Sequence, residues 1–293
     1  MNRRAHPVLP LLLVGIALLS ATAVRAQLGI ALSSAETQFL RYEPIEVAVT
    51  LRNYSGNTLA FSETGANRGY LYFLIEAHNG KIVRQLKPDS NPADGLVLNA
   101  GETKSLTVSL NNLFDLRGTG SYTVKARVGH ARLNSDYESE TLAFEVREGL
   151  TMICRNVGMP GGEGDEAIKT KKASLLLFQA GQESIYCLQV EDEKFVYGTI
   201  RLGRQISSSE PELDADATSD LHLLFQVTSR LYSYRVYNLT GRQVRLRQET
   251  FYLPGSGVPR LSRSPGYITV ANGRLATEGV DYRIEGGQVR QQE

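Results

Sequence analysis

Between residues 28 and 148 apolar and polar positions alternate with period two. Ile45, Val47, Val49 and Leu51 alternate with Glu46, Ala48, Thr50 and Arg52. The same rhythm runs through Leu106–Leu110, Tyr122–Val128 and Leu142–Val146. Successive side chains of a strand point to opposite faces, so each run lays one row on a core and the other toward water. Tyr70 to Ile75 is more continuously apolar and reads as a central strand. Turn residues separate the runs at Asn53–Gly56, His78-Asn79-Gly80, Asn99–Gly101 and Gly118–Gly120. The Asn-Gly pair between Ile75 and Ile82 predicts a hairpin, because both residues accept positive φ. Seven or so short strands in about 120 residues is the pattern of a β-sandwich.

Beyond Arg147-Glu148-Gly149 the strands become more uniformly apolar and an internal echo begins. Leu175-Leu-Leu-Phe-Gln179 returns as His222-Leu-Leu-Phe-Gln226, and Pro211-Glu-Leu213 returns as Pro259-Arg-Leu261. A weaker third copy starts at Gly266-Tyr-Ile-Thr-Val270. Tyr232–Tyr237, Asn238–Gly241 and Arg242–Phe251 read as a hairpin within one unit. A repeat of roughly 47 residues built of strands has the size of a propeller blade. At most three units fit, whereas closed propellers typically have about four to eight blades. An open or partial propeller-like antiparallel sheet domain over 149–285 is therefore expected, with 286–293 as a polar tail. If the echo is structural, Leu177 and Leu224 occupy matching positions, as do Phe178 and Phe225 on the opposite face. Pro211 and Pro259 should each precede a strand, because proline cannot donate to a ladder.

Several segments of the first region carry a family likeness. Arg41–Asn53 resembles the second strand, with its lead-in, of the immunoglobulin-like modules of exported bacterial proteins. Leu98–Glu102 resembles their turn before the fifth strand, and Gly120–Val124 their penultimate strand. The resemblance implies an immunoglobulin-like sandwich over 27–148. It places Tyr122 at the tyrosine corner and Val124 where antibody domains put their second cysteine. The chain has no Trp, which sets it apart from antibody-type domains. Pro211–Gln226 resembles the entry into some bacterial propeller blades. Neither resemblance implies a particular activity.

The N-terminus changes the picture of where the chain works. Arg3-Arg4, the apolar run Val8–Leu19 and Val24-Arg25-Ala26 have the layout of a signal peptide cleaved after Ala26. The apolar run is too short to span roughly 30 Å of hydrocarbon, and no later run approaches that length. An exported protein of the periplasm, outer surface or extracellular space is expected. The full chain carries +1; without Arg3, Arg4 and Arg25 it carries −2. So balanced a chain has no overall attraction to nucleic acid.

Candidate chemistry is sparse. In an oxidising compartment Cys154 and Cys187 suggest a disulfide, the other reading being two buried thiols. Gly158–Asp165 lacks the Gly-Lys-Ser/Thr ending of a phosphate loop and reads as a surface loop. Asp214, Asp216, Thr218 and Asp220 space oxygens as calcium loops do, but lack the glycine and the closing Glu, so a solvated acidic turn is expected. Tyr232, Tyr234 and His222 form the candidate binding surface, and Tyr232, Tyr234 and Phe251 a candidate platform for sugar stacking; the expected reading is that Tyr232 and Tyr234 share one buried sheet face. No catalytic set, metal site or cofactor is indicated. The leading expectation is a non-enzymatic binding or scaffold module with a protein or glycan partner. The alternatives are a glycan-active enzyme on a propeller-like scaffold, and an immunoglobulin-like proteinase inhibitor presenting a rigid loop over Leu86–Leu96.

Overall fold

The computed structural model describes residues 27–62, 68–160, 169–206, 209–286 and 288–291. The expected signal peptide lies outside them, as does most of the glycine-rich loop. The described residues form strands, with one short 3₁₀ turn at Leu110–Asn112. Through the first region these are β1 (Leu28–Ser33), β2 (Gln38–Leu40), β3 (Glu46–Asn53), β4 (Leu59–Ala60), β5 (Gly69–Ala77), β6 (Val97–Leu98), β7 (Thr103–Ser109), β8 (Gly120–His130), β9 (Tyr137–Glu138) and β10 (Leu142–Arg147). The second region contains β11 (Leu150–Met159), β12 (Lys169–Ala180), β13 (Glu183–Glu191), β14 (Val196–Arg204), β15 (Glu212–Ala215), β16 (Asp220–Gln226), β17 (Tyr232–Asn238) and β18 (Arg245–Pro254). It ends with β19 (Arg260–Ser264), β20 (Tyr267–Ala271), β21 (Gly273–Leu275), β22 (Tyr282–Glu285) and β23 (Gln288–Gln291).

The first region is a sandwich. Sheet β1-β3-β7 faces sheet β2-β10-β8-β5 across one core that holds Val47, Val49, Leu51, Leu71, Phe73, Ile75, Val124 and Val128. These are the apolar rows of the alternating runs. β2 joins β10 in parallel, while the other ladders of this region are antiparallel. Tyr122 donates from its hydroxyl to the Gly118 carbonyl, 2.7 Å away. This bond back to the backbone just upstream is the tyrosine-corner geometry, and Val124 is fully buried beside it. The hairpin at His78-Asn79-Gly80 forms with Gly80 at φ 73°, and Glu76 bridges to Ile82. The central-strand reading of Tyr70–Ile75 is corrected: β5 is an edge strand, and Tyr72 and Leu74 are exposed. Their ring and side chain add apolar character on the solvent face, which disguised the alternation.

The second region is a stack of successive sheets. β11-β12-β13-β14 form the first and β15-β16-β17-β18, extended by β21, the second; β19-β20 make a short third. None closes into a barrel. Each LLFQ copy lies in the second strand of its sheet, β12 or β16. Leu177 packs with the core between the first and second sheets, while Leu224 faces the core between the second and third. Phe178 faces back to Leu40 of the sandwich, and Phe225 faces back to the first sheet. Their cross-strand partners match as well: Leu177 opposes Tyr186, and Leu224 opposes Tyr234. Pro211 and Pro259 each stand immediately before a strand. The first strands β11, β15 and β19 touch in succession, as the inner strands of neighbouring blades do. The architecture is an open propeller-like arc with its three sheets stacked in chain order.

Candidate functional site

Phe251, the third ring of the candidate platform, is buried, and the candidate binding surface of Tyr232, Tyr234 and His222 is placed inside the stack. All three are buried, on the face of β16 and β17 that packs toward Leu261 and Val270 of the third sheet. The exposed sugar-stacking surface is therefore corrected, and the shared buried face is what the structure shows. Period-two spacing put both tyrosines on one face, but it could not say that another sheet covers that face. His222 is held at both ring nitrogens. Nδ1 lies 2.6 Å from the Tyr234 hydroxyl and Nε2 lies 3.1 Å from Asp216 Oδ2. Burial pushes the Tyr234 phenol up to about 12, with help from Tyr252 and Asp216.

The acidic turn is also turned inward. Asp216 accepts from the Thr218 and Asp220 amides at 2.8 and 3.0 Å and from the Thr218 hydroxyl. Burial disfavours its charge, but bonds from His222, Thr218 and the backbone leave its pKa below the ordinary 3.8. Asp214 is forked by Arg263, and Asp220 pairs with Arg247 and Asn238. The solvated-turn reading is thus corrected: Asp214 ties the second sheet to the third through Arg263, while Asp216 and Asp220 bond within the second sheet and its turn. Among the described residues no group of three or more His, Cys, Asp or Glu could hold a metal ion. No helix among them is long and apolar enough to cross a membrane.

The disulfide is corrected too. Both cysteines are free, Cys154 exposed and Cys187 buried. Cys154 pairs with Ser174 and Cys187 with Leu176, on opposite sides of β12. Two inter-strand spacings, roughly 10 Å, separate them, beyond the roughly 7 Å over which Cα atoms can be bridged. Burial, aided by Glu43, pushes the Cys187 thiol up to about 12.

Two features that no spacing announced lie on or beside segment 36–43. The first is the junction between sandwich and stack. Glu43, buried, accepts the Leu40 amide at 2.8 Å and receives the fork of Arg201 from β14. Arg201 also donates to the Gln38 carbonyl at 2.7 Å and pairs with Glu36 at 2.9 Å. Leu40 meets Leu176, Phe178 and Cys187 beside this pair. Gln38 accepts the Gly181 amide at 2.6 Å.

The second feature is an open groove of about 530 Å³ at the tyrosine-corner end of the sandwich, lined by Arg41, Tyr42, Lys81, Ile82, Arg84, Asp115 and Arg117 among others. Arg41 lies 4.7 Å over the Tyr42 ring and donates to the Arg117 carbonyl at 2.8 Å. Arg117 forks onto Asp115 at 2.6 and 2.8 Å, which holds that carboxyl below its ordinary range. A smaller cavity of about 260 Å³ is lined by Leu74, Glu76, Thr123, Lys125 and Thr141. The Leu86–Leu96 loop runs nearby. Asn91 clamps it to β5, accepting from the Leu71 amide at 3.0 Å and donating to the Gly69 carbonyl at 2.9 Å.

Comparison with protein-family models and with curated proteins finds no match. What defines the chain is its architecture: an all-β protein that joins a sandwich to an open sheet stack.

Proposed function

We propose that the chain is an exported binding or scaffold module without catalytic activity, working in the periplasm or at the cell surface on a protein or glycan partner. The observation that carries this reading is the Glu43–Arg201 junction with its apolar floor of Leu40 and Phe178. A buried charge pair with extra backbone bonds specifies one mutual orientation of two parts more than it stabilises them. A fixed orientation of this kind suits a scaffold that presents its surfaces to a partner. The two cavities are each lined by a single carboxylate, Asp115 or Glu76. Glycoside cleavage uses two facing acids about 5–9 Å apart, so the glycan-active enzyme draws no support from them. Capture from envelope extract on the immobilised chain tests the reading. Specific recovery of a protein or glycan supports it, and turnover of a polysaccharide panel would overturn it.

The inhibitor reading keeps one supporting observation: the Asn91 clamp holds an exposed loop that includes Leu86 and Lys87. Stoichiometric inhibition of a cysteine or serine proteinase, lost in Asn91→Ala, would favour it over a passive scaffold.

A further inference from the structure

From its charge and shape we infer that the groove at the tyrosine-corner end of the sandwich is a docking site for an acidic, partly apolar protein segment. This rests on the binding-module reading and names its site and partner chemistry. Four cations, Arg41, Lys81, Arg84 and Arg117, stand against Asp115 in the lining. Counting Glu148, which pairs with Arg41 at 2.7 Å, the groove holds a surplus of two positive charges on a chain that is otherwise near neutral. Two of the cations are committed to the frame: Arg117 grips Asp115, and Arg41 grips Glu148 and the Arg117 carbonyl. Lys81 has no ion pair among the described residues, and Arg84 reaches Asp115 only at 3.4 Å with its side chain 71% exposed. These two are the cations free to meet a ligand.

Their segment is held on both sides. The Ala77 amide donates to the Lys81 carbonyl at 2.9 Å and the Val83 amide to Ile75 at 2.8 Å. The Asp115 amide donates to Arg84 at 2.9 Å, and the Leu86 amide to Leu113 at 2.7 Å. The site is therefore preorganised, so little ordering remains to oppose binding. Tyr42 supports the same reading from another direction. It holds φ 68°, a left-handed conformation that is strained for a non-glycine residue. The surrounding turn maintains it, with the Glu43 amide bonded to the Leu40 carbonyl at 2.9 Å, and its ring stands in the groove.

The groove favours a peptide over an acidic glycan. Arg41 already covers one face of the Tyr42 ring, the kind of surface on which a sugar would stack. Ile82, 70% exposed and part of the lining, instead offers an apolar contact. The cavity volume falls within the roughly 300–1,000 Å³ of ordinary ligand sites, and its open form suits an extended segment whose glutamates or aspartates meet Lys81 and Arg84.

The test uses the purified chain and two probes: a labelled synthetic peptide of alternating glutamate and leucine, and polygalacturonate. The peptide should bind, more weakly as salt rises. The double variant Lys81→Glu/Arg84→Glu should lose about tenfold or more in affinity, while Lys194→Glu, in the β13–β14 turn outside the lining, should not. Unchanged melting of all three proteins excludes a folding defect. Peptide binding that survives the double variant, or is absent altogether, overturns the proposal. Preference for polygalacturonate overturns it in favour of a glycan. In capture from envelope extract, a partner retained equally by the double variant sinks the groove and leaves the binding-module reading standing. Failure of both proteins to retain any partner sinks that reading itself.

Discussion

The sandwich and the stack use the same strands differently. In the sandwich each sheet has one dry face: β3 alternates buried core positions with wetter ones, and a single core serves all the strands. In the stack the two central strands of the middle sheet are nearly dry on both faces, and every residue of β16 is buried. Its outward rows feed separate cores, one toward the first sheet and one toward the third. The polar groups differ accordingly. Buried Asn53 in the sandwich satisfies itself locally, with bonds to Ser55, Asn57, Leu98 and Asn99. In the stack, His222, Asp216 and Tyr234 bond to one another and to Ile268 of the next sheet. A two-sheet sandwich needs polar groups only at its rims, whereas a stack must satisfy them between layers.

The comparison can be broken most sharply at Phe225. Phe225→Ala should cost about 3–5 kcal/mol, because the ring sits between two sheets that cannot both collapse onto the hole. Denaturant titration measures it; a loss under 1 kcal/mol would mean the layers move independently. Arg201→Ala should cost about 3 kcal/mol by leaving Glu43 buried without its counter-charge. Arg201→Met with Glu43→Gln should recover most of that loss, and a double variant no better than the single one would refute the pairing argument. Hydroxyl removal sharpens the contrast between regions. Tyr234→Phe strips a buried partner from His222 and should cost about 1–3 kcal/mol, while Tyr122→Phe removes one bond to a carbonyl at a partly wet corner and should cost about 1 kcal/mol. Equal losses would erase the distinction.

Acid should loosen the ties of the second sheet. Asp214 and Asp216 have folded pKa values below the ordinary 3.8. Their contribution is complete above the unfolded value and disappears as pH falls below about 4 through the folded value. Hydrogen exchange at β15–β17 should accelerate there; exchange unchanged below about pH 4 would contradict it. The smallest effect is on the thiols. Native Cys154 should alkylate, and Cys187 should alkylate only after unfolding, with no change in stability; a disulfide in the native protein would oppose the strand register.

Much of this was legible in the chain. The rows of Val47, Val49 and Leu51 announced the sandwich core, Tyr122 its corner, and the LLFQ echo the equivalent strands. What escaped has a common cause. Period-two reading assigns faces within a strand and says nothing about what lies over a face. Hence the shared face of Tyr232 and Tyr234 was legible, but not the third sheet that covers it. The cysteines looked bridgeable because strand order was invisible. The groove cations are scattered over residues 41–117, and only the folded sandwich brings them together.

Glu43 and Arg201 are 158 positions apart in the chain, and this has a consequence in time. The sandwich strands can pair once β10 has emerged, but Leu40 then has no Phe178 to cover it and Glu43 no guanidinium to answer it. β2 can pair with β10 in the sandwich, but the side of segment 36–43 that carries Leu40 and Glu43 must wait for β12–β14. Closing so long a loop is intrinsically slow, so the seam between the two halves should be the last part of the molecule to set.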